Sequence, residues 1–227
     1  MNSAIIVAAG SGTRFGAGTP KQFHEIHGKP IIIHTLERFE KCPAVDEIIL
    51  VLANDELENF QTDVKKYNLK KLSKIVAGGK SRAESVFSGL KAVNAEQTEI
   101  VAVHDGARPL VSSAEIAATI ERARETGAAC LVAKVTDTIK EVAGEKIIGT
   151  IDRANLRRAL TPQAFRYKIL KRAFDENDFN EAATDECLLV EKSGYEIATV
   201  EGNARNTKIT YAEDLKIAEF FLSELQD

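Results

Sequence analysis

The sequence predicts an α/β protein in which a mostly parallel central sheet is covered by helices on both faces. Short apolar runs alternate along the chain with stretches of helical periodicity, which is the order of repeated strand–helix–strand units. These runs are nearly continuous in apolar residues, as expected of parallel strands that are buried on both faces. With 227 residues and 44% hydrophobic content, the chain can build one core, so we expect residues 1–227 to form a single domain.

The predicted elements follow from apolar runs and from helix start and stop signals. Strands are predicted at 4–9, 47–53, 74–77, 99–104, 128–135 and 196–200. Helices are predicted near 30–41, 55–67, 82–93 and 114–126, with a further helix after Thr210. Capping boxes, in which Ser or Thr precedes Glu by three residues, are predicted at Ser81, Ser112 and Thr210. Gly127 and Gly194 stand where glycines end helices.

The segment 135–152 departs from this alternation. Two short β-prone runs lie on either side of Gly144, which predicts a hairpin outside the main sheet. An isolated hairpin is only marginally stable in water. We therefore expect this arm to pack on another surface, either a second subunit or, as a flap, its own domain.

Composition argues against several classes of protein. A net charge of -4 and a pI near 5.7 argue against nonspecific nucleic-acid binding. Cys42, Cys130 and Cys187 are widely spaced, which favours reduced thiols over disulfides or a zinc site. No apolar run approaches the ~20 residues of a membrane span, and the N-terminus lacks the basic segment of a signal peptide. We expect a cytoplasmic protein that contacts neither nucleic acid nor membrane.

The most informative segment is the loop that follows the first predicted strand. Glycine lets backbone N–H groups turn toward an anion, and Arg and Lys supply positive charge to phosphate oxygens. The spacing matches neither the dinucleotide fingerprint nor the Walker loop. The loop therefore predicts a phosphate site of its own kind, with a glycine-rich turn and incidental charges as the alternative. Its glycines and cations are Gly10, Gly12, Gly16, Gly18, Arg14 and Lys21.

Further polar segments follow other predicted strands, where ligands of such sheets bind. A second glycine pair, Gly78-Gly79, precedes a predicted helix. Asp105 ends a buried strand, and a carboxylate there suits Mg²⁺, which is usually held by few carboxylates and by phosphate oxygens. The alternative is a turn residue paired with Arg108. Lys208 lies between two threonines just before the last predicted helix.

Together these motifs resemble the 2-C-methyl-D-erythritol 4-phosphate cytidylyltransferase family, nearly from end to end. The same group holds ribitol-5-phosphate cytidylyltransferase, which is the alternative, although His-Asp-Gly-Ala-Arg-Pro looks more like the methylerythritol branch. The resemblance is carried by AAGSGTRFGAGTPKQF (8–23), GGKSRAESVFSGL (78–90), VHDGARPL (103–110), TDTIK (136–140), TPQAF (161–165) and NTKIT (206–210).

The resemblance implies a Rossmann-like three-layer sandwich of the nucleotide-diphospho-sugar transferase type, with a protruding β-hairpin dimerisation arm at 135–152. It implies transfer of CMP from CTP to 2-C-methyl-D-erythritol 4-phosphate, with release of pyrophosphate, in non-mevalonate isoprenoid biosynthesis. Mg²⁺ is the implied cofactor, held by Asp105. The resemblance further implies a homodimer, joined through the arm, in which Arg153 reaches the partner's site.

The resemblance also implies roles for individual residues. Catalytic roles fall on Arg14, Lys21 and Lys208. The nucleotide would contact Ala8, Ala9, Gly10, Gly12, Gly79, Ser85, Asp105 and Gly106. The polyol phosphate would contact Thr138, Arg153, Thr161, Thr184 and Thr210.

Two functions from other classes stay open at this point. An NAD(P)-dependent reductase could use the same strand–loop–helix turn, but Arg14 and Lys21 would then have no purpose. A nucleotide sensor would bind CTP without turnover. Release of pyrophosphate from CTP in the presence of a polyol phosphate separates both from a cytidylyltransferase.

Overall fold

The structure is a computed structural model that describes residues 1–10, 15, 20–177 and 185–224. The strands are β1 (Asn2–Ala8), β2 (Glu25–Ile26), β3 (Lys29–Pro30), β4 (Glu47–Leu52), β5 (Leu72–Ala77), β6 (Ile100–Asp105), β7 (Ala128–Lys134), β8 (Ile139–Ala143), β9 (Lys146–Ile151), β10 (Arg157–Arg166) and β11 (Ala198–Glu201). The α-helices are α1 (Ile31–Glu40), α2 (Leu57–Asp63), α3 (Arg82–Ala92), α4 (Ser113–Thr126), α5 (Tyr167–Glu176), α6 (Glu186–Lys192) and α7 (Glu213–Glu224).

Among the described residues, seven strands form the central sheet, in the order β11-β7-β10-β6-β1-β4-β5. β1 pairs in parallel with β4 and β6, β4 with β5, and β7 with β11. β10 runs antiparallel to both of its neighbours, β6 and β7. The predicted mostly parallel α/β sheet is therefore confirmed.

Helices cover both faces of the sheet. Alternate residues of β1 point to opposite sides, so that Ile6 packs in one apolar cluster and Ile5 in the other. The Ile6 side is covered by α1, α2 and α4, and the Ile5 side by α3, α5 and α6. Both clusters are almost fully buried, which explains why the strands are continuous in apolar residues.

One of the elements that the sequence prediction missed is β10, which lies in the middle of the sheet. A proline inside an apolar run argues against a central strand, and β10 contains Pro162. The ladder with β7 is interrupted there, because the pairing passes from Ala159–Val132 directly to Gln163–Cys130. Pro162 therefore lies where no N–H group is needed for the ladder. The helices α5 and α6 were also not predicted.

The capping predictions have mixed outcomes. Ser112 and Glu115 form a full capping box at the start of α4. Ser81 caps α3, but the Glu84 carboxylate accepts from the Lys80 N–H group rather than closing the box. The box predicted at Thr210 is wrong.

The start of α7 is organised by a different side chain. The carboxylate of Asp214 accepts hydrogen bonds from the backbone N–H groups of Thr210 and Tyr211, at 2.7 and 2.8 Å. Asp214 thereby satisfies the donors that precede the helix. At the other end of a helix, Gly127 follows α4 with a φ of 95°, as its predicted role requires.

The predicted hairpin is present as β8 and β9, which form a two-stranded sheet of their own. Gly144 has a φ of 58° at the turn, a conformation that favours glycine. The outward side chains of Val142, Ile147 and Ile148 are at least 60% exposed. The arm thus carries apolar surface that the described part of its own chain does not cover.

Candidate active site

A pocket of about 420 Å³ opens at the carboxyl ends of β1, β5 and β6. Parallel strands place the residues that follow them at one edge of the sheet, which is where ligands of such folds bind. Among its described lining residues, the pocket has four cations and one carboxylate, although the whole chain has a net charge of -4. The lining consists of Val7, Ala8, Ala9, Gly10, Lys21, Gln22, Gly79, Lys80, Ser81, Arg82, Ser85, Asp105, Ala107, Lys208 and Thr210.

The turn between β5 and α3 forms one wall of the pocket. The Ser85 hydroxyl accepts from the Gly79 N–H group at 3.1 Å and donates to the Ser81 carbonyl at 2.9 Å, which closes the turn. A Cβ atom at Gly78 would lie 2.4 Å from the Cβ atom of Ala9. Glycine at this position therefore lets the turn approach the end of β1.

The opposite wall carries Lys21, Gln22 and Thr210. Gln22 is buried, and its side-chain amide donates to the Ala8 carbonyl at 2.9 Å. The Lys21 ammonium donates to the carbonyl of Ile209 at 2.9 Å. These two bonds join the segment after the glycine-rich loop to the end of β1 and to the segment before α7.

Asp105 is the centre of the charged network. Its carboxylate is 8% exposed and receives Arg82 Nε at 3.1 Å, Arg108 Nε at 3.2 Å and Lys208 Nζ at 3.0 Å. Burial by itself would raise the pKa of Asp105, but the charges of Arg82, Lys208 and Arg108 outweigh it and hold the pKa well below its usual range. Asp105 is therefore ionised at neutral pH.

Behind Asp105, buried hydrogen bonds hold the end of β6. The Thr161 hydroxyl accepts from the Asp105 N–H group at 3.2 Å and pairs with His104 Nδ1 at 3.0 Å. His104 Nε2 pairs with the carbonyl of Arg108 at 3.1 Å, and a carbonyl can only accept. Nε2 thus carries the proton, and Nδ1 accepts from Thr161. Burial lowers the pKa of His104 to about 3, so the imidazole is neutral.

The structure brings most of the predicted site residues together. Gly106 and Thr161 lie behind the wall, where the Gly106 N–H group donates to the Val7 carbonyl and Thr161 is buried beneath Asp105. Thr138 and Arg153 are exposed at the base of the arm, away from the described lining. Gly12, Arg14 and Thr184 lie outside the described residues. The lining includes Ala8, Ala9, Gly10, Lys21, Gly79, Ser85, Asp105, Lys208 and Thr210.

The sequence prediction missed Arg82 as a site residue. Arg82 is the first residue of α3, lines the pocket and pairs with Asp105 and Glu186. Its position just after the Gly78-Gly79 pair could have indicated this role, because a cation at the start of a helix after such a turn faces the same edge as the first loop. The ion pair between Asp105 and Arg108, predicted from the sequence as the alternative to a site role for Asp105, is also present. Asp105 forms this ion pair and also lines the pocket.

A mostly parallel sheet, a glycine-rich turn and a pocket rich in cations at the carboxyl edge are typical of nucleotide-binding α/β proteins. The family model for 2-C-methyl-D-erythritol 4-phosphate cytidylyltransferase matches residues 2–224. The chain therefore belongs to the 2-C-methyl-D-erythritol 4-phosphate cytidylyltransferase family.

Individual relatives agree with this assignment. The chain is 44% identical to the 2-C-methyl-D-erythritol 4-phosphate cytidylyltransferase of Bacillus licheniformis, over 98% of this chain and 96% of that protein. It is 45% identical to a bifunctional enzyme IspD/IspF of Desulfotalea psychrophila, over its full length but only 58% of that protein. The crystal structure of a 4-diphosphocytidyl-2C-methyl-D-erythritol synthase from Anaerococcus prevotii superposes with a TM-score of 0.84 at 30% identity, covering 98% and 96% of the two chains.

Within the described part of the chain, no helix is long and apolar enough to cross a bilayer. The three cysteines are free and buried.

The hydrogen bonds of His104 generate a prediction that can be measured directly. Its imidazole should stay neutral from pH 8 to pH 5, with the proton on Nε2, whereas an exposed histidine titrates near pH 6.5. Imidazole ¹H–¹⁵N correlation spectra, assigned with a His104→Gln variant, provide the measurement.

The lowered pKa of His104 also determines how the free energy of unfolding depends on pH. The unfolded chain takes up a proton at His104 near pH 6.5, while the folded chain does so only near pH 3. The contribution to the free energy of unfolding is therefore fully present above pH 6.5 and is lost as the pH falls toward 3. An inflection of the His104 signals between pH 5 and 8, or a proton on Nδ1, would contradict the assignment.

Proposed function

We propose that this protein transfers CMP from CTP to 2-C-methyl-D-erythritol 4-phosphate, forming 4-diphosphocytidyl-2-C-methyl-D-erythritol and pyrophosphate. The observation that carries this proposal is the pocket itself, which Lys21, Lys80, Arg82 and Lys208 line together with one ionised carboxylate, Asp105, at the carboxyl edge of the sheet. Two polyanions must meet in this reaction, and such a pocket supplies the charge that offsets their repulsion. Family membership supports the methylerythritol acceptor over ribitol 5-phosphate and an oxidoreductase.

The chemistry requires positioning and charge rather than a covalent nucleophile. An oxygen of the acceptor phosphate attacks the α-phosphorus of CTP and forms a new P–O bond, while the bond to the bridging oxygen of pyrophosphate breaks. The attacking oxygen is already anionic, so the step needs no general base. The buried, neutral imidazole of His104 fits this scheme, because its role is to hold the strand end.

Individual cations can be matched to the charges that develop. Lys21 lies beside the glycine-rich loop, where the α-phosphate and the departing pyrophosphate would lie, and Arg14 would act from the same loop. Lys208 is held by an ion pair with Asp105 and is 34% exposed, so its ammonium can turn toward an entering phosphate. The turn at Gly79 and Ser85 would face the cytidine.

Mg²⁺ is the proposed cofactor, and Asp105, whose two oxygens are paired with Arg82, Arg108 and Lys208 in this structure, is the carboxylate proposed to hold it. Mg²⁺ is commonly bound by one or two carboxylates together with substrate phosphates. Asp105 remains ionised, and it is the carboxylate of the described pocket lining. When bound, the ion would neutralise phosphate charge and orient the triphosphate, while Arg82 and Arg108 keep Asp105 in place.

We also propose a homodimer that is joined through the arm at 135–152, in the cytoplasm. The exposed apolar side chains of β8 and β9 support such an interface, because an isolated two-stranded sheet needs a packing partner. Arg153 lies at the base of the arm, where its guanidinium donates to the Thr136 carbonyl. It would extend from there into the partner's site. The free, buried cysteines agree with a reducing compartment.

The reaction is tested by pyrophosphate release from CTP with each acceptor in turn. Methylerythritol phosphate should support turnover, and ribitol 5-phosphate should support little. In the same assay Lys21→Ala should lower kcat by about 10²–10³-fold, since loss of one preorganised donor to the transition state has a cost of this size.

Lys29→Ala is the matched control for Lys21→Ala. Lys29 forms an ion pair with Glu37 outside the pocket, at 2.7 Å. Its removal should leave kcat near the wild-type value. A folded Lys21→Ala protein with near-normal kcat would disprove the assigned role of Lys21.

The metal proposal predicts a changed Mg²⁺ requirement for Asp105→Asn. The substitution keeps the size of the side chain and removes its charge, so a higher Mg²⁺ concentration should be needed for half-maximal activity. Titration of Mg²⁺ at fixed CTP measures this for both proteins. Full wild-type activity in excess chelator, or the same Mg²⁺ profile for the variant, would refute the metal role.

The dimer proposal predicts complementation between two inactive variants. When Lys21→Ala and Arg153→Ala proteins exchange subunits at random, half of the dimers are mixed, and each mixed dimer has one site with both residues intact. Recovery of about a quarter of wild-type activity is expected for such a two-fold dimer. Mixing Lys21→Ala with the Lys21→Ala/Arg153→Ala double variant is the control. Absence of recovery despite measured subunit exchange would place Arg153 outside the partner's site.

A further inference from the structure

Glu186 is a buried acidic residue that lies outside the described pocket lining and has no role in the reaction steps proposed above. It is the first residue of α6 and is 1% exposed. Its backbone is fixed by the central strand β10, because Gln163 Oε1 accepts from the N–H groups of Glu186 and Cys187, both at 3.2 Å. The side-chain amide of Gln163 also donates to Asp185 at 2.8 Å. The position of the Glu186 carboxylate is therefore set by the middle of the sheet.

Among the described residues, the Glu186 carboxylate has one hydrogen-bond partner, which is Arg82. Its Oε1 atom accepts from Arg82 Nη1 at 2.5 Å, whereas Oε2 is buried without a hydrogen-bond partner in the described structure. Burial raises the pKa of Glu186, although Arg82 opposes the shift. A buried carboxylate with an unsatisfied oxygen is costly. Such a group is expected where its charge serves another residue.

Arg82 is held between two carboxylates. Its Nε atom donates to Asp105 and its Nη1 atom to Glu186, so the guanidinium is clamped on two sides at the wall of the pocket. Burial would lower the pKa of Arg82, but the two carboxylates raise it above its ordinary value. A guanidinium has five N–H groups, and these two contacts use two of them. No described residue accepts a hydrogen bond from the other three, and Arg82 lines the pocket, so these groups can meet an anion there.

The three cations around Asp105 differ in how firmly they are held. Arg108 has a second anchor, because its Nη1 atom donates to the carbonyl of Asn206 at 2.9 Å. Lys208 is the most exposed of the three, at 34% of its side chain. If a triphosphate drew Arg82 away from Asp105, the Asp105 carboxylate would lose one of its ion pairs and change its orientation. Glu186 provides the second attachment that prevents this.

We propose that Glu186 is a positioning residue, which fixes the Arg82 guanidinium. Arg82 then presents its remaining N–H groups to the phosphates of the bound nucleotide. It also keeps the Asp105 carboxylate in its orientation. The proposal rests on the proposed function for the identity of the nucleotide. It adds a link from the middle of the sheet, through Gln163 and α6, to the cations of the pocket.

A double-mutant cycle on Arg82 and Glu186 tests the proposal. Glu186→Gln keeps an oxygen that can accept from Arg82 but removes the charge, and Arg82→Gln removes the guanidinium. With Arg82 present, Glu186→Gln should lower kcat/KM for CTP by about 10²-fold, the loss typical of a small misplacement of a site group. In the Arg82→Gln background the same change should have an effect below about threefold, because a residue that acts through another has no effect once that residue is gone.

Two controls separate positioning from simple loss of stability. Thermal unfolding of each variant reports its stability, and Glu37→Gln removes an acid from the ion pair with Lys29 away from the pocket. Glu37→Gln should leave kcat/KM unchanged. If Glu186→Gln does not fold, Glu186→Asp keeps the charge and shortens the reach by one methylene, and the same cycle is measured with it.

The measurements distinguish failure of the Glu186 proposal from failure of the proposed function. An equal loss in both Arg82 backgrounds, or no loss with Arg82 present, would overturn the proposal. If the wild-type protein releases no pyrophosphate, the proposed function fails, and the cycle is then read on the dissociation constant of CTP by calorimetry. Non-additive losses of CTP affinity would still support Glu186 as the positioning residue of Arg82, and additive ones would overturn it.

Discussion

The Asp105 carboxylate is buried at the carboxyl end of β6, where an unpaired charge would be very costly. Three cations offset that cost, and each comes from a different part of the chain: Arg82 from the start of α3, Arg108 from the loop after β6, and Lys208 from the segment before α7. The ion pairs therefore fix the relative positions of these segments. They also gather three cations beside the pocket in which the triphosphate is proposed to bind.

The strand β10 supports this network from behind. Thr161 accepts from the backbone of Asp105, and its carbonyl accepts from the side chain of Asn206 at 2.8 Å. Gln163, two residues along the same strand, holds the start of α6 and thereby Glu186. Because β10 pairs with β6 on the side away from β1, its side chains reach the end of β6 from that side. Residues outside the described pocket lining are thus hydrogen-bonded to the residues that carry its charges.

The arm differs from the central sheet in where its apolar side chains lie. Its strands pair with each other, and its apolar side chains point away from the core. Within the described part of the chain, these side chains are not buried, whereas the apolar residues of β1, β4 and β6 are. Gln22 and Lys21 show the reverse case, since these polar side chains donate to the carbonyl of Ala8 at the end of β1 and to the carbonyl of Ile209 before α7. The exposed apolar residues of β8 and β9 lie at the proposed interface, and Gln22 and Lys21 lie at the proposed site.

The sequence by itself determined the α/β class, the six parallel strands, five of the seven described helices and the pocket edge, because apolar runs, helix caps and glycine turns are local signals. Asp105, Lys21 and the Gly78-Gly79 turn could be found in this way, since each directly follows a predicted strand or loop. Only the tertiary structure decided the place of β10, where Pro162 obscures the strand, and the start of α7, where Asp214 replaces the expected cap. It alone joined Arg82 to Asp105 and Glu186, because these residues are 23 and 104 positions apart along the chain and are brought together by the packing of α3 and α6 against one face of the sheet.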